Sequence, residues 1–340
     1  MTIAIRRLAF GASLTADEAT SAFDAVMAGE ATPAQIAALL VALRVKGESP
    51  AEVAGAARAL RAAMVALPAR EPGLLVDTCG TGGGTIPTFN ISTAAALLAA
   101  GAGVRIAKHG NRSFTSQCGS ADVLEALGVG IDVSPAVMAA ALERAGIVFM
   151  FAPLMHPAMR HVGPVRRELA IPTVMNFVGP LANPAGAGRQ VIGVADEARL
   201  PLLAAALMEL GTEHALVVHG RGMDEISPLE PTEGVEIRGG EMRPWSLDPR
   251  EFSVPECIAE DLAGGSPADN AAIIEAVLGG KGNPASSAAV VLNAAAAVYV
   301  GGLEPDMRGS VERVRDALAS GAGIAALDRL RAAMPASRAG

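Results

Sequence analysis

One stretch of the chain combines an acid, several hydroxyls and a high density of glycine: Asp77-Thr78-Cys79-Gly80-Thr81-Gly82-Gly83-Gly84-Thr85-Ile86-Pro87-Thr88-Phe89-Asn90-Ile91-Ser92-Thr93. Glycines let a backbone approach a ligand closely, and their N–H groups can form concave nests for anions. Asn90, Ser92 and Thr93 then bring amide and hydroxyl groups to the start of an alanine-rich helix, where phosphate is favoured. Two familiar phosphate loops do not fit. A dinucleotide fingerprint needs a third glycine where Thr85 stands, and a P-loop needs Gly-Lys-Ser/Thr, which is absent.

Two further segments carry complementary chemistry. Lys108-His109-Gly110-Asn111-Arg112-Ser113-Phe114-Thr115-Ser116, followed by Gly119-Ser120-Ala121-Asp122, offers a point charge, a planar guanidinium and hydroxyl donors to phosphate oxygens. His219-Gly220-Arg221-Gly222-Met223-Asp224-Glu225 ends in adjacent carboxylates, hard oxygen ligands suited to Mg²⁺ that also binds substrate phosphates. An Asp-Glu pair alone is a weak signal and gains weight from the diphosphate partner the other segments call for. His156 and His161 lie in a loop-to-helix passage where packing and substrate-channel roles compete evenly. Cys79 and Cys118 flank the segments without an activating neighbour and read as small fillers.

The surrounding pattern supplies elements to position these groups. Three helix starts share one capping chemistry: Thr15-Ala16-Asp17-Glu18, Thr32-Pro33-Ala34-Gln35 and Ser49-Pro50-Ala51-Glu52 each put a hydroxyl at N-cap and Glu or Gln at N3. Phe23, Val26 and Met27 mark a buried stripe, and Gly47 ends the second helix. From residue 74 onward, short apolar runs alternate with alanine-rich helices. Strands are expected at 74–77, 104–107, 147–151, 190–194 and 215–219, with helices near 93–100, 121–127, 135–145 and 199–210. That alternation implies an α/β fold with a mainly parallel central sheet flanked by helices. A hairpin turning at Gly239-Gly240 is expected near 235–246, and 268–334 reads as helical. The expected division is a smaller all-helical domain over 1–70 and an α/β domain over 71–340, packed closely and hinged.

Composition narrows the partners. The 340 residues are 51% hydrophobic, yet only 3% are aromatic, so a large aromatic cage is excluded as the means of binding. The net charge of −8 argues against nonspecific nucleic-acid binding. No apolar run long enough for a membrane span is present, and Arg6-Arg7 is not followed by a secretory apolar core. Cys79, Cys118 and Cys257 show neither paired nor metal-ligand spacing, which fits a reducing cytoplasm.

Taken together, the segments resemble the anthranilate phosphoribosyltransferases, enzymes of tryptophan biosynthesis. The resemblance runs nearly end to end. It takes in Gly29-Glu30-x-Thr32-Pro33-Ala34-Gln35, Leu43-Arg44-x-Lys46-Gly47-Glu48 and Gly80-Thr81-Gly82-Gly83. Further motifs are Phe89-Asn90-Ile91-Ser92-Thr93, Lys108-His109-Gly110-Asn111-Arg112-Ser113 and Gly119-Ser120-Ala121-Asp122-x-Leu124-Glu125, then Gly179-Pro180-Leu181-x-Asn183-Pro184 and Asp224-Glu225. The resemblance implies a nucleoside phosphorylase/phosphoribosyltransferase-like architecture, a homodimer, and a helical domain completed by an insertion near 165–176. It implies a donor, 5-phosphoribosyl 1-diphosphate, contacting Gly80, Gly83, Gly84, Thr88, Asn90, Ile91, Ser92 and Thr93. Further donor contacts fall on Lys108, His109, Gly110, Asn111, Arg112, Ser113, Phe114, Thr115, Ser116 and Ser120. Anthranilate would meet Gly80, Asn111 and Arg166, and Mg²⁺ would be held by Ser92, Asp224 and Glu225. Lys108 and Arg166 are expected to act by charge and positioning.

The chain departs from the family where Gly84-Thr85 replaces Asp-Gly, which removes a carboxylate beside the expected diphosphate. It also carries Ala170-Ile171-Pro172-Thr173 where many members have Gly-x-Arg-Thr. The expected reaction displaces diphosphate from the anomeric carbon through an oxocarbenium-like transition state, with the neutral arylamine attacking. Two alternatives stand beside it: a related pyrimidine nucleoside phosphorylase, and a noncatalytic binding paralogue. The first would carry Lys-His-Ser-Gly-Arg where this chain reads Lys-His-Gly-Asn-Arg.

Overall fold

The computed structural model describes residues 1–113 and 117–336, so the donor contacts expected at Phe114, Thr115 and Ser116 lie outside the described residues. The chain opens with helix α1 (Thr2–Ala9), followed by α2 (Ala16–Met27), α3 (Pro33–Lys46) and α4 (Pro50–Ala62). Thr15, Thr32 and Ser49 each accept from the N3 backbone N–H, while the N3 side chain accepts from the N-cap N–H. Two otherwise orphaned donors are thereby satisfied at each start. Gly47 closes α3 at φ 87°.

The α/β part then runs β1 (Val76–Gly80), α5 (Ile91–Gly101), β2 (Ile106–Gly110), α6 (Ser120–Ala126), α7 (Pro135–Ala145), β3 (Ile147–Phe151) and the short α8 (Ala152–Met155). Helices α9 (Gly163–Leu169) and α10 (Met175–Val178) precede β4 (Arg189–Gly193), α11 (Leu200–Glu209) and β5 (His214–His219). A hairpin of β6 (Thr232–Arg238) and β7 (Glu241–Leu247) turns at Gly239-Gly240. Helices α12 (Pro267–Leu278), α13 (Pro284–Val300), α14 (Met307–Ala319) and α15 (Ala322–Ala333) complete the described chain.

The strands form one sheet in the order β3-β2-β1-β4-β5-β6-β7, parallel from β3 to β5 and antiparallel through β6 and β7. Alternation along β5 divides its side chains between two cores. Leu216 and Val218 join α5, α7 and the C-terminal helices, whereas Ala215 and Val217 face α11 and the N-terminal helices. Val165, Val174, Met175 and Val178 of the α9–α10 region are buried in that second core with Leu39 and Leu43.

β3 has its expected limits, β4 and β5 lie within one residue of theirs, and two strands differ further. β1 was expected over 74–77 and β2 over 104–107, yet both begin two residues later and extend to a glycine. Each is an interior strand with a parallel partner on both sides, so pairing carries it through Thr78-Cys79-Gly80 and Lys108-His109-Gly110. Backbone hydrogen bonding, more than side-chain hydrophobicity, sets these ends.

Candidate active site

From β1 the chain crosses to β2 and β3 on one side, while β4 lies on the other. The C-terminal ends of β1 and β4 therefore flank a topological switch point, where open parallel sheets bind ligands. Gly80 and Gly193 stand opposite each other there. A Cβ on Gly80 would come within 2.1 Å of Asp224 Oδ2, and one on Gly193 within 1.5 Å of the Asp224 carbonyl oxygen. Both positions require glycine because Asp224 lies against them. The Gly82 N–H donates to Asp224 Oδ2 at 2.8 Å, and Thr85 N–H donates to the Gly222 carbonyl at 2.8 Å. The glycine segment and the Asp-Glu turn, separated by some 140 residues in sequence, are thus in direct contact.

Lys108 comes up from β2 beneath them. Its buried ammonium donates to the Thr78 carbonyl at 2.5 Å and to Ser92 Oγ at 3.3 Å. Burial pulls its pKa down, and the surrounding Asp77, Cys79, Glu225 and Asp224 act in the opposite direction. Asp224 and Glu225 are only partly exposed, and burial among protein atoms pushes both carboxyls up, Glu225 further through Asp224. Glu225 Oε2 is buried without a hydrogen-bond partner.

Ser92, Asp224 and Glu225 all line one small cavity with Thr78, Cys79 and Gly193. The donor set is hard oxygen, and two neighbouring carboxyls with an orphaned oxygen favour an added cation. Among the described residues no group of three or more His, Cys, Asp or Glu forms a metal cage. A cation here would need further oxygen ligands from a bound partner. The residues fit Mg²⁺ shared with a diphosphate.

Helix α5 starts beside this cavity with no side-chain cap. Asn90, at its N-cap, is occupied elsewhere: Nδ2 donates to the Cys118 carbonyl at 3.1 Å and Oδ1 accepts from Asn270 at 2.9 Å. In the first turn of α5, Ile91 N–H donates to the Phe89 carbonyl at 2.7 Å and Thr93 N–H to the Asn90 carbonyl at 3.1 Å, which leaves the Ser92 N–H available to an anion. Ile91 is fully buried, so any contact it makes with a ligand runs through its backbone. Gly82 and Gly83 take φ of 71° and 89°, a conformation that favours glycine, while Gly84 and Thr88 sit half-buried in the same segment.

Other expected residues divide between this cleft and its supports. The Asn111 carbonyl accepts from Ser120 Oγ at 3.2 Å, and a Cβ on Gly110 would meet that hydroxyl at 2.2 Å. Asp122 accepts from Ser113 N–H at 3.2 Å. Arg112, expected to face phosphate, is exposed and pairs with Asp122 at 2.8 Å and Glu125 at 2.5 Å, its guanidinium over the Phe151 ring. His109 and His156 form a buried pair with ring centroids 4.9 Å apart. Burial, then His156, lowers His109 to about 3, and burial lowers His156 to about 4, so both are neutral at pH 7. Arg166 stands on a separate element, α9, half-buried, with Nη2 reaching Asn176 Oδ1 at 3.5 Å.

Two residues had no role in the sequence reading. Asp77 Oδ1 accepts from His109 N–H at 3.1 Å, and its Oδ2 accepts from Asn183 Nδ2 at 2.8 Å, which also donates to the Ala107 carbonyl. Burial raises Asp77 to about 6 against the opposing pull of Asn183 and Lys108. This network locks the ends of β1 and β2 together. The available signals were an acid opening the glycine segment and an asparagine in Gly-Pro-Leu-x-Asn-Pro.

Comparison with known proteins follows the same division. A family model described as "Glycosyl transferase family, a/b domain" matches residues 73–324, and one described as "Glycosyl transferase family, helical bundle domain" matches residues 2–64. The chain is 49% identical over 328 residues to the anthranilate phosphoribosyltransferase of Methanosphaerula palustris, with 96% of each protein covered. It resembles the crystal structure of anthranilate phosphoribosyltransferase from Thermus thermophilus with a TM-score of 0.92, at 43% identity over 97% of this chain and 99% of that one. The Saccharomyces cerevisiae enzyme in complex with PRPP and Mg gives a TM-score of 0.88 at 26% identity, covering 98% and 97%. The same yeast enzyme in complex with 4-fluoroanthranilate gives 0.85 at 25% identity, covering 97% and 96%.

Proposed function

We propose how this cleft works from one premise: the chain belongs to the anthranilate phosphoribosyltransferase family. It moves the phosphoribosyl group of 5-phosphoribosyl 1-diphosphate onto the amine of anthranilate, giving N-(5-phosphoribosyl)anthranilate and diphosphate. The comparisons favour this activity over a nucleoside phosphorylase.

The barrier lies in parting diphosphate from the anomeric carbon, where positive charge builds on the sugar and negative charge on the leaving group. The N–H groups of Gly83 and Gly84, with that of Ser92 at the start of α5, would hold those oxygens in fixed positions, without reorganisation at the moment of reaction. Asp224, Glu225 and Ser92 would hold Mg²⁺, which when bound supplies charge neutralisation of the diphosphate. Lys108, beneath them, balances the two carboxylates and holds Ser92 Oγ in place.

Arg166 would pair its planar fork with the anthranilate carboxylate, and Asn111 and Gly80 would border the acceptor. The arylamine attacks as a neutral nucleophile, so orientation is the main requirement. His109, neutral and reluctant to take a proton, suits a hydrogen-bonding wall better than a strong base.

One observation carries this reading: Asp224 Oδ2 lies 2.8 Å from Gly82 N, which puts a cation-binding carboxylate inside an anion-binding loop. The direct test follows anthranilate fluorescence in the presence of donor and Mg²⁺. Steady loss that depends on all three components is expected; anthranilate that binds yet keeps its fluorescence would refute the transfer.

We further assign residues 1–70, joined by 165–176, to a helical domain and 71–340 to the α/β domain. Burial of Val165 and Met175 with Leu39 and Leu43 supports that division. We read the assembly as a homodimer formed through the helical domain, where Ile3, Phe10 and Val45 are 78%, 86% and 81% exposed. A cytoplasmic location fits cysteines that are thiols rather than disulfide partners. No described helix is long and apolar enough to cross a membrane.

A further inference from the structure

His219 ends β5 at the base of the Asp224-Glu225 turn and is buried. Its two ring nitrogens face groups of opposite kind. Nδ1 lies 2.8 Å from the Val194 carbonyl, which can only accept, while Nε2 lies 3.4 Å from the Gly222 N–H, which can only donate. These partners allow one form of the ring, with the proton on Nδ1 and a lone pair on Nε2.

The residue that His219 meets is a junction between two peptide units. The Gly222 carbonyl accepts from Thr85 N–H at 2.8 Å and Ile86 N–H at 3.2 Å, so Gly222 touches the imidazole on one side and the glycine segment on the other. Its backbone lies at φ 98°, and a Cβ there would meet Thr85 Oγ1 at 2.7 Å. Arg221, just before it, also takes a positive φ of 46°, strained for a residue with a side chain. Such a conformation persists only where its surroundings over-determine it. The Gly220 N–H bond to the Met223 carbonyl at 3.0 Å and the His219 acceptor brace this turn from within, while the Thr85 and Ile86 donors hold it from the glycine segment.

We infer that His219 is a positioning residue for donor and cation: through Nε2 it fixes the Gly222 peptide, and so sets the glycine segment and the Asp224-Glu225 turn at one mutual spacing. It touches neither substrate and acts through Gly222. The inference rests on the assignment of diphosphate and Mg²⁺ to this cleft.

The test measures binding rather than turnover, by calorimetry of the holoprotein with 5-phosphoribosyl 1-diphosphate and Mg²⁺, and separately with anthranilate. His219→Gln keeps an amide oxygen near the Nε2 position, whereas His219→Asn keeps an amide N–H near Nδ1 and leaves the Gly222 N–H without an acceptor. The expected result is near-native donor affinity for His219→Gln and a loss of about tenfold for His219→Asn, the worth of about one hydrogen bond. Anthranilate affinity should stay within about twofold in both. The reverse ranking, with Asn rescuing and Gln failing, would show that the residue merely braces β4 against β5 and would overturn the inference. Nitrogen NMR of wild-type imidazoles gives a check independent of folding by the variants. The proton is expected on Nδ1, and an Nε2–H form contradicts the proposal. Asp224→Asn separates the two readings. If it leaves Mg²⁺-dependent donor binding intact, the site assignment fails; if it abolishes that binding while His219→Asn changes nothing, only the role of His219 fails.

Discussion

Gly84 sits where the family resemblance leads one to expect a carboxylate, and its surroundings show why the substitution matters. A Cβ there would approach the Gly222 carbonyl to 2.8 Å, so any side chain presses on the turn that carries Asp224. Gly84→Asp is predicted to shift the Mg²⁺ concentration for half-maximal activity by about threefold or more, as expected of a new charge beside a cation site. A superimposable metal titration would show that the departure is silent. Arg166→Ala is predicted to raise the anthranilate KM by about tenfold to a hundredfold, the range for a lost charge-assisted hydrogen bond, with the donor KM nearly unchanged. Equal rises in both would misplace the acceptor. The His109 imidazole provides a pH test. Folded, it is held near 3, against an unfolded value of 6.5, so between those values the unfolded chain carries a proton that the folded one refuses. Its contribution to stability therefore falls as pH drops through that window, by about 1.4 kcal/mol per unit at most. Asp77, raised to about 6 from 3.8, acts in the opposite sense: the folded state keeps a proton that the unfolded carboxyl releases, and stability falls as pH rises. Urea unfolding of wild type against His109→Gln isolates the histidine. The wild type should lose stability relative to the variant between pH 6.5 and 4.5, and a pH-independent difference would contradict the burial argument.

Among the elements, the helix starts were legible because capping is local chemistry. Thr15, Thr32 and Ser49 each carry their N3 partner within the same turn, and no distant contact is needed to find them. Glu52 shows where local reading stops. As the N3 residue of α4 it was expected to cap Ser49, which it does at 2.8 Å, but it is also fully buried, accepts from Leu14 N–H at 2.9 Å and pairs with Lys46 at 3.0 Å. Glu52→Ala should cost about 3–5 kcal/mol by urea denaturation, since it leaves the backbone donors of Leu14 and Ser49 and the half-buried Lys46 ammonium without their carboxylate. A loss below about 1 kcal/mol would mean the pair behaves as a surface bridge. The ends of β1 and β2 were less legible for the same reason. Asp77 read as the last residue of its strand and Lys108 as the first polar residue after the next, yet each strand continues past them between two partners, and Asn183, 106 residues beyond Asp77, ties that acid inside. Arg112 was the opposite case. Its type suits phosphate, but Asp122 and Glu125, one turn apart on α6, engage it first.

At the scale of the whole molecule, topology brings the chemistry together. The reversal of strand order at β1 leaves a crevice between its end and that of β4, and the crossing turn after β5 fills it with Asp224. Sequence could name the glycine segment, the Lys108 segment and the acidic pair, but their contact depends on which strands are neighbours. The same scale governs assembly. Phe10→Asp is predicted to halve the sedimenting mass while leaving the helical content unchanged; an unaltered mass would mean that the exposed face at Ile3, Phe10 and Val45 is not the subunit contact. A crystal structure with 5-phosphoribosyl 1-diphosphate and Mg²⁺ bound decides whether one cleft grips one sugar diphosphate with its cation. Diphosphate oxygens are expected on the N–H groups of the glycine segment, with Asp224 released from Gly82 and the cation beside Asp224-Glu225. Donor bound elsewhere, with the Gly82–Asp224 hydrogen bond intact, would contradict that arrangement.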